Sequence, residues 1–373
     1  MIKHIYIPII KGKQNDLKAI GKLHPNHRKF IKPLIELSPT PPKSNVDDHL
    51  EKFIKNLTAQ NDDCLLFVDF NGFIPGESTK KGIPATIAGY DYLHNVECYV
   101  TPVYGFGRED LLWDYLGEVI KQHGQGFCFR LEEDDLEEDI AEETWEKILI
   151  KSAQLEISFT EVDLIIDLKD VRLKSVSEKV SLVTDFMMFQ PKSIKFRSIA
   201  IAGSSAPKDV SVIEVDSIGE IERKELMIWA NLRTDLVDGD SFIYSDYGVI
   251  HPEFAAFDLP VGGTANRKVR YTSRNKIVIF RGHKQAGDTA QSHTLAMQVR
   301  NHSIFCGRGY SFGDEYIDDV ANFAKGPGNL GNWVLADMNH HFTYTFIQIE
   351  NLRNILLPGL SQKEVGLLLE EFQ

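Results

Sequence analysis

Along the first two thirds of the chain, short runs of β-branched and aromatic residues alternate with segments whose apolar positions recur every three or four residues. The runs are HIYIPII from His4, FIKPLIEL from Phe30, CLLFVDF from Cys64, CYVTPVY from Cys98, FCFRLE from Phe127, VDLIIDL from Val162, SIKFRSIAIA from Ser193 and SFIYSDY from Ser241. Each is nearly continuous in apolar character, as expected of a strand buried on both faces in a parallel sheet under helices. Between them, Leu50, Phe53, Ile54 and Leu57 share one helical face, as do Leu112, Tyr115, Leu116 and Val119, and Val176, Val180, Val183 and Met187. The helical pattern is weakest after the first and third runs.

Eight such units predict an α/β fold of the (β/α)8 TIM-barrel-like type over residues 1–260. A doubly wound open sheet fits less well, because its first turn is glycine-rich and this chain has KGKQND there. After Tyr247 the pattern changes. KVRYTSRNKIVIFRG, from Lys268, reads as a β-hairpin and DTAQSHTLAMQVRNH as a helix; a Gly-rich stretch follows, and Val365, Leu368, Leu369 and Phe372 stripe a closing helix. Residues 261–373 therefore predict a hairpin, helix and loop extension, integral to the same domain and packing over one mouth of the barrel.

Active groups of such barrels sit at the carboxyl ends of the strands. Those positions hold Lys11, Glu36, Asp69, Tyr104, Arg130 with Glu132, Asp167 with Lys169, Ser204 with Ser205, and Asp246 with Tyr247. Glu36, Asp69, Asp167 and Asp246 are the candidate acids, bases or metal ligands: carboxylates crowded into a low-dielectric mouth raise one another's pKa toward neutrality. The same four suit magnesium or manganese, whereas HExxH and paired CxxC, the marks of zinc, are absent. Lys11, Arg130, Lys169 and Arg281 offer positive charge to an anionic or phosphorylated ligand, with Glu132 and Tyr247 beside them. Ser204 and Ser205, in AGSSAP, follow the seventh strand, where barrels of this kind bind phosphate. The plainer alternative is a set of ion pairs that closes the open end.

Charge narrows the partners. The 54 acidic against 41 basic residues give a net charge of −13, which repels a nucleic-acid backbone, and no basic patch offsets it. RLEEDDLEEDIAEE, from Arg130, concentrates that charge and reads as a solvated helix face or loop. No run of ~20 apolar residues predicts a membrane span. Cys64, Cys98, Cys128 and Cys306 lack metal-ligand spacing, and the first three lie in or beside apolar runs as small core residues would, which implies a reducing, cytoplasmic setting.

YIPIIKGKQNDLKAI, IKPLIEL, YSDYGVIHPEF, VRYTSRNKIVIFRG, YSFGDEYI and NWVLADMNHHFTYTFIQI occur in that order. Together they resemble the beta protein family of bacterial and phage-encoded proteins of similar length. The resemblance implies a single unit over nearly the whole chain and a setting in phage–host conflict; it names no reaction. It also draws attention to Arg270, Tyr271 and Thr272, to Arg281 and Gly282, to Ser311, Gly313 and Asp314, and to Trp333, His340 and His341. SFGD doubles as a helix cap.

Phe342, Phe346, Ile349, Leu352 and Leu356 fall at helical spacing, so His340 and His341 are expected in the first turn of a helix capped by Asn339, one imidazole facing the cleft. Two functions follow. In the first the barrel is an enzyme acting on a small anionic ligand by acid–base or metal-assisted chemistry, with a lid histidine exchanging protons. In the second it is a non-catalytic binding, sensing or scaffold module that meets a protein partner in phage defence.

Overall fold

In a computed structural model that describes residues 4–61, 65–108, 110–236, 242–253, 266–284, 288–356 and 358–371, the predicted alternation closes into a barrel. Strands β1 (Tyr6–Lys11), β2 (Leu34–Glu36), β3 (Phe67–Asp69), β4 (Thr101–Tyr104), β5 (Phe127–Glu132), β6 (Val162–Asp170) and β7 (Ser198–Ser204) pair in chain order, all parallel. Strand β8 (Ser217–Glu222) leaves the ring, and β9 (Ile243–Asp246) bonds to both β7 and β1. The barrel thus has the eight parallel strands the sequence implies. Cys64, Ser241, Phe372 and the expected boundary near 260 lie outside the described residues.

The helices are α1 (Gln14–Gly21), α2 (Pro25–Arg28), α3 (Val46–Thr58), α4 (Ala85–Asn95), α5 (Asp110–His123), α6 (Ala141–Gln154), α7 (Val176–Met188) and α8 (Lys224–Asp235), then, beyond the barrel strands, α9 (Gln291–Asn301), α10 (Phe312–Ala321), α11 (Leu330–Ile355) and α12 (Gln362–Glu371). Their starts follow local chemistry. Asn45, Ser175 and Ser311 each accept a hydrogen bond from the backbone N–H three residues on, and Asn329 forms a reciprocal capping box with Asn332. Glu142 and Glu143, from the acidic stretch, occupy the first turn of α6, where the helix dipole favours them.

Side chains alternate along each strand between the barrel interior and the helix layer. Ile7, Ile9, Leu34, Phe67, Val103, Cys128, Ile165, Ala200, Ala202, Ile243 and Tyr247 form the interior column. Tyr6, Ile10, Ile35, Val68, Phe129, Leu164, Ile166 and Tyr244 face outward into the cluster shared with the helices. Each fully buried aliphatic or aromatic side chain contributes ~1.5–3 kcal/mol relative to exposure. Cys98 is disulfide-bonded rather than a free thiol, which removes the argument from cysteine usage for a reducing compartment. Among the described residues no helix is long and apolar enough to cross a membrane.

The last third is not only a cover. Strands β10 (Lys268–Ser273) and β11 (Lys276–Arg281) form the predicted hairpin, and β8, not anticipated from its short SIGEIE run, completes an antiparallel sheet of order β10-β11-β8. Helix α11 packs Met338, Phe342, Phe346, Ile349 and Leu352 into the same apolar cluster as the outer barrel face. It touches α1 and β1, and Arg233 of α8 donates to the carbonyl of Arg353 at its far end. It therefore lies along the barrel wall where the helix after β9 belongs, and among the described residues of the extension Arg270 donates to the Val249 carbonyl, past the end of β9, at 2.8 Å.

α10 approaches α11 closely at Gly313, where an added Cβ would stand 2.2 Å from the Ala336 carbonyl oxygen. Gly366, in α12, has open space around it. Gly313→Ala is expected to cost ~2 kcal/mol or more in urea unfolding, whereas Gly366→Ala is expected to be neutral or to stabilise by up to ~1 kcal/mol. Equal effects would contradict the close helix contact.

Candidate functional site at the barrel mouth

The residue two positions beyond the last interior apolar residue of a strand points inward again, so the mouth layer is set by register. That rule brings Lys11, Glu36, Asp69, Arg130 and Asp167 over the interior column, with Tyr247 as its top member. Arg130 crosses the barrel and uses every guanidinium donor. Its Nε donates to Asp167 Oδ2 at 2.9 Å. Nη1 reaches Asp69 Oδ2 at 2.8 Å and Glu36 Oε1 at 2.6 Å. Nη2 reaches Asp167 Oδ2 at 2.5 Å and the Tyr247 hydroxyl at 2.7 Å. Three carboxylates from three strands meet on one buried cation.

Arg108, which sequence reasoning passed over, clamps Asp69 with two bonds of 2.6 and 2.7 Å. It follows β4 by four residues, in a loop outside the strand-end positions considered, and only its place between Gly107 and an acidic pair hinted at a role. Lys11 bonds Glu36 from the other side. Lys169 bridges Glu132 at 3.0 Å and Asp167 at 3.3 Å near the rim, with its own backbone at φ 51°.

This company reverses the expected electrostatics. Burial opposes ionisation of Glu36, but Arg130, Lys11 and Lys169 outweigh it and hold its pKa below the usual carboxylate value. Burial acts likewise on Asp69 and Asp167, and the cations again win: Arg108 and Arg130 hold Asp69, Lys169 and Arg130 hold Asp167, both far below the ordinary range. Burial and the neighbouring carboxylates push the Tyr247 phenol well up, so it stays a neutral donor. Burial carries other carboxyls toward neutrality, Asp16 and Glu225 to about 7 and Asp337 to about 6. None of them lines the mouth cavity.

That cavity, of about 240 Å3, sits off-centre over β1–β3. Its floor is Lys11, Glu36 and Asp69, and its walls include Ser38, Asn71 and Glu253. Gly72 lets the β3 loop press on the β2 loop, because an added Cβ would lie 1.8 Å from the Leu37 carbonyl oxygen. As ligands for magnesium or manganese, Glu36, Asp69 and Asp167 already converge on a guanidinium 2.5–2.8 Å from each, so a metal would have to displace Arg130.

The remaining candidates fall away from the cavity. Asp246 precedes Tyr247 and so faces the opposite way, outward to α11, where it bonds Tyr6 at 2.6 Å and His341 Nε2 at 2.9 Å. His341 Nδ1 accepts from the Thr272 hydroxyl at 2.7 Å, and burial lowers its pKa against the pull of Asp246. His340 stacks on Tyr271 at 3.7 Å, with Asp314 and the Thr272 carbonyl at its two nitrogens, each 2.9 Å away. Both imidazoles are fully buried in the middle of α11, not in a first turn: Asn329 is the cap, and Asn339 instead bonds Ala19 and Gly313. Neither lines the cavity.

Ser204 bonds the Ile250 carbonyl at 3.3 Å, and Ser205 bonds Glu225 at 2.5 Å, both hydroxyls buried. Arg281 donates to the Val210 and Ile213 carbonyls beside the three-stranded sheet. Glu132 is at the rim, its backbone N–H capped by Asp135. At the mouth, His251 adds a contact of 3.2 Å to Asp170.

A closed parallel barrel whose strand ends meet in a charged layer below an open cavity defines a (β/α)8 protein with a mouth site. A family model described as Beta protein matches residues 6–346, and the chain belongs to that family. No curated protein matches it.

Arg130→Met leaves three carboxylates without their shared cation and is expected to cost ~3–5 kcal/mol at pH 7. A folded carboxyl pKa held below its unfolded value near ~4 contributes stability that is present above that value and lost as pH falls. The difference between wild type and Arg130→Met should therefore persist down to about pH 4 and shrink progressively below it in urea titrations. A difference independent of pH would contradict the ionised layer.

Proposed function

We propose that the barrel mouth recognises a small anionic ligand, and that the charged layer serves as a fixed floor for recognition rather than as an acid–base pair. The observation that carries this reading is Lys11. Its side chain is 17% exposed, it lines the cavity, and Glu36 takes only one of its three N–H donors among the described residues. The floor below it is held still by Arg130 and Arg108, so an anion meets a preorganised surface. Carboxylates kept ionised by paired cations are weak bases at neutral pH, which favours binding over general acid–base exchange. In the phage–host setting that the resemblance implies, such a protein acts as a sensor of a small metabolite. The alternative, chemistry assisted by magnesium or manganese, is less well supported because Arg130 fills the point where the carboxylates meet.

Thermal-shift and calorimetric titration of carboxylates, inorganic phosphate and nucleotides is the test. At least one anion should raise the melting temperature of the wild type, and Lys11→Met should weaken it at least about tenfold. Failure of every anion, or binding unchanged in Lys11→Met, contradicts the proposal.

A further inference from the structure

We propose that Glu36 is an internal counter-ion, and that a carboxylate-bearing ligand displaces it and takes its place between Lys11 and Arg130. The inference rests on the reading of the mouth as an anion site and names the ligand class. Glu36 bridges the two cations with one oxygen each, Oε1 on Arg130 at 2.6 Å and Oε2 on Lys11. A bound carboxylate would make the same two contacts, so the side chain stands where a ligand headgroup fits.

Of the three carboxylates on Arg130, Glu36 is the one placed to leave. Asp69 is held by both Arg108 nitrogens, by Arg130 and by the Asn71 N–H. Asp167 accepts from Arg130 twice, from Tyr247 and from the Lys169 N–H. Both are buried, whereas Glu36 is 15% exposed and faces the cavity. Released, it swings out to solvent, while Arg130 Nη1 and Lys11 Nζ keep their positions.

Charge selects the class of ligand. Lys11, Arg108, Arg130 and Lys169 stand against Glu36, Asp69, Asp167 and Glu132, a formally neutral set. A monoanion replaces Glu36 one for one. A dianionic phosphate leaves an extra negative charge beside two buried carboxylates, which a low-dielectric layer opposes.

The test compares wild type, Glu36→Gln and Glu36→Asp, titrated calorimetrically with acetate, pyruvate and inorganic phosphate. Glu36→Gln removes the internal anion and should bind acetate or pyruvate at least about tenfold more tightly than wild type, with a smaller gain for phosphate. Should Glu36→Gln fail to fold, Glu36→Asp, whose shorter arm holds the two cations less well but keeps the negative charge, is expected to show a smaller gain in the same direction. Anion binding by wild type with no gain in either variant overturns the displacement while leaving the mouth an anion site. A gain as large for phosphate as for the carboxylates overturns the ligand class. Absence of binding in all three proteins overturns both.

Discussion

The guanidinium of Arg130 is the group on which the mouth of this barrel depends. A parallel barrel must end its apolar column somewhere, and here the next inward layer is charged. Three carboxylates from β2, β3 and β6 project into a space that would repel them, and one planar cation with five donors satisfies all three and a tyrosine. No lysine reproduces that fork. The arrangement closes the interior, fixes the floor of the cavity and keeps Glu36 and Asp69 ionised.

A second polar system lies behind the wall, between β9 and α11. Asp246, His341 and Thr272 stand in the order of a carboxylate–imidazole–hydroxyl relay, but all three are buried and none touches the cavity. Its effect is to register a long helix against the barrel: α11 supplies the missing eighth helix, and His340 and Asn339 tie it in turn to β10, α10 and α1. The two polar systems meet at consecutive residues, since Tyr247 turns in to Arg130 and Asp246 turns out to His341.

Much of the fold was legible because burial on both faces leaves a plain trace, and VDLIIDL or FCFRLE cannot easily be anything else. Lys11, Glu36, Asp69, Arg130 and Asp167 were found together for the same reason, as strand ends in register. Alternation along β9 separates Asp246, which faces α11, from Tyr247, which faces the barrel interior, although the two are adjacent strand-end residues. Local spacing also cannot show where a helix that carries a histidine begins: the true cap of α11 is ten residues before Asn339, and its first turn lies at the end of the Gly-rich stretch. Strand β8 hid in six residues of mixed polarity, which its pairing with β11 alone makes a strand. The pKa expectation failed because carboxylates were counted without Arg108 and without the reach of Arg130.

At neutral pH the mouth carboxylates are ionised and held by cations. Carbon-13 NMR titration of the side-chain carboxyls of Glu36, Asp69 and Asp167 reads their protonation one by one. All three are predicted to keep carboxylate shifts from about pH 8 down to about pH 5. A midpoint near neutrality at any one of them would overturn the ionised layer and return the site to acid–base chemistry.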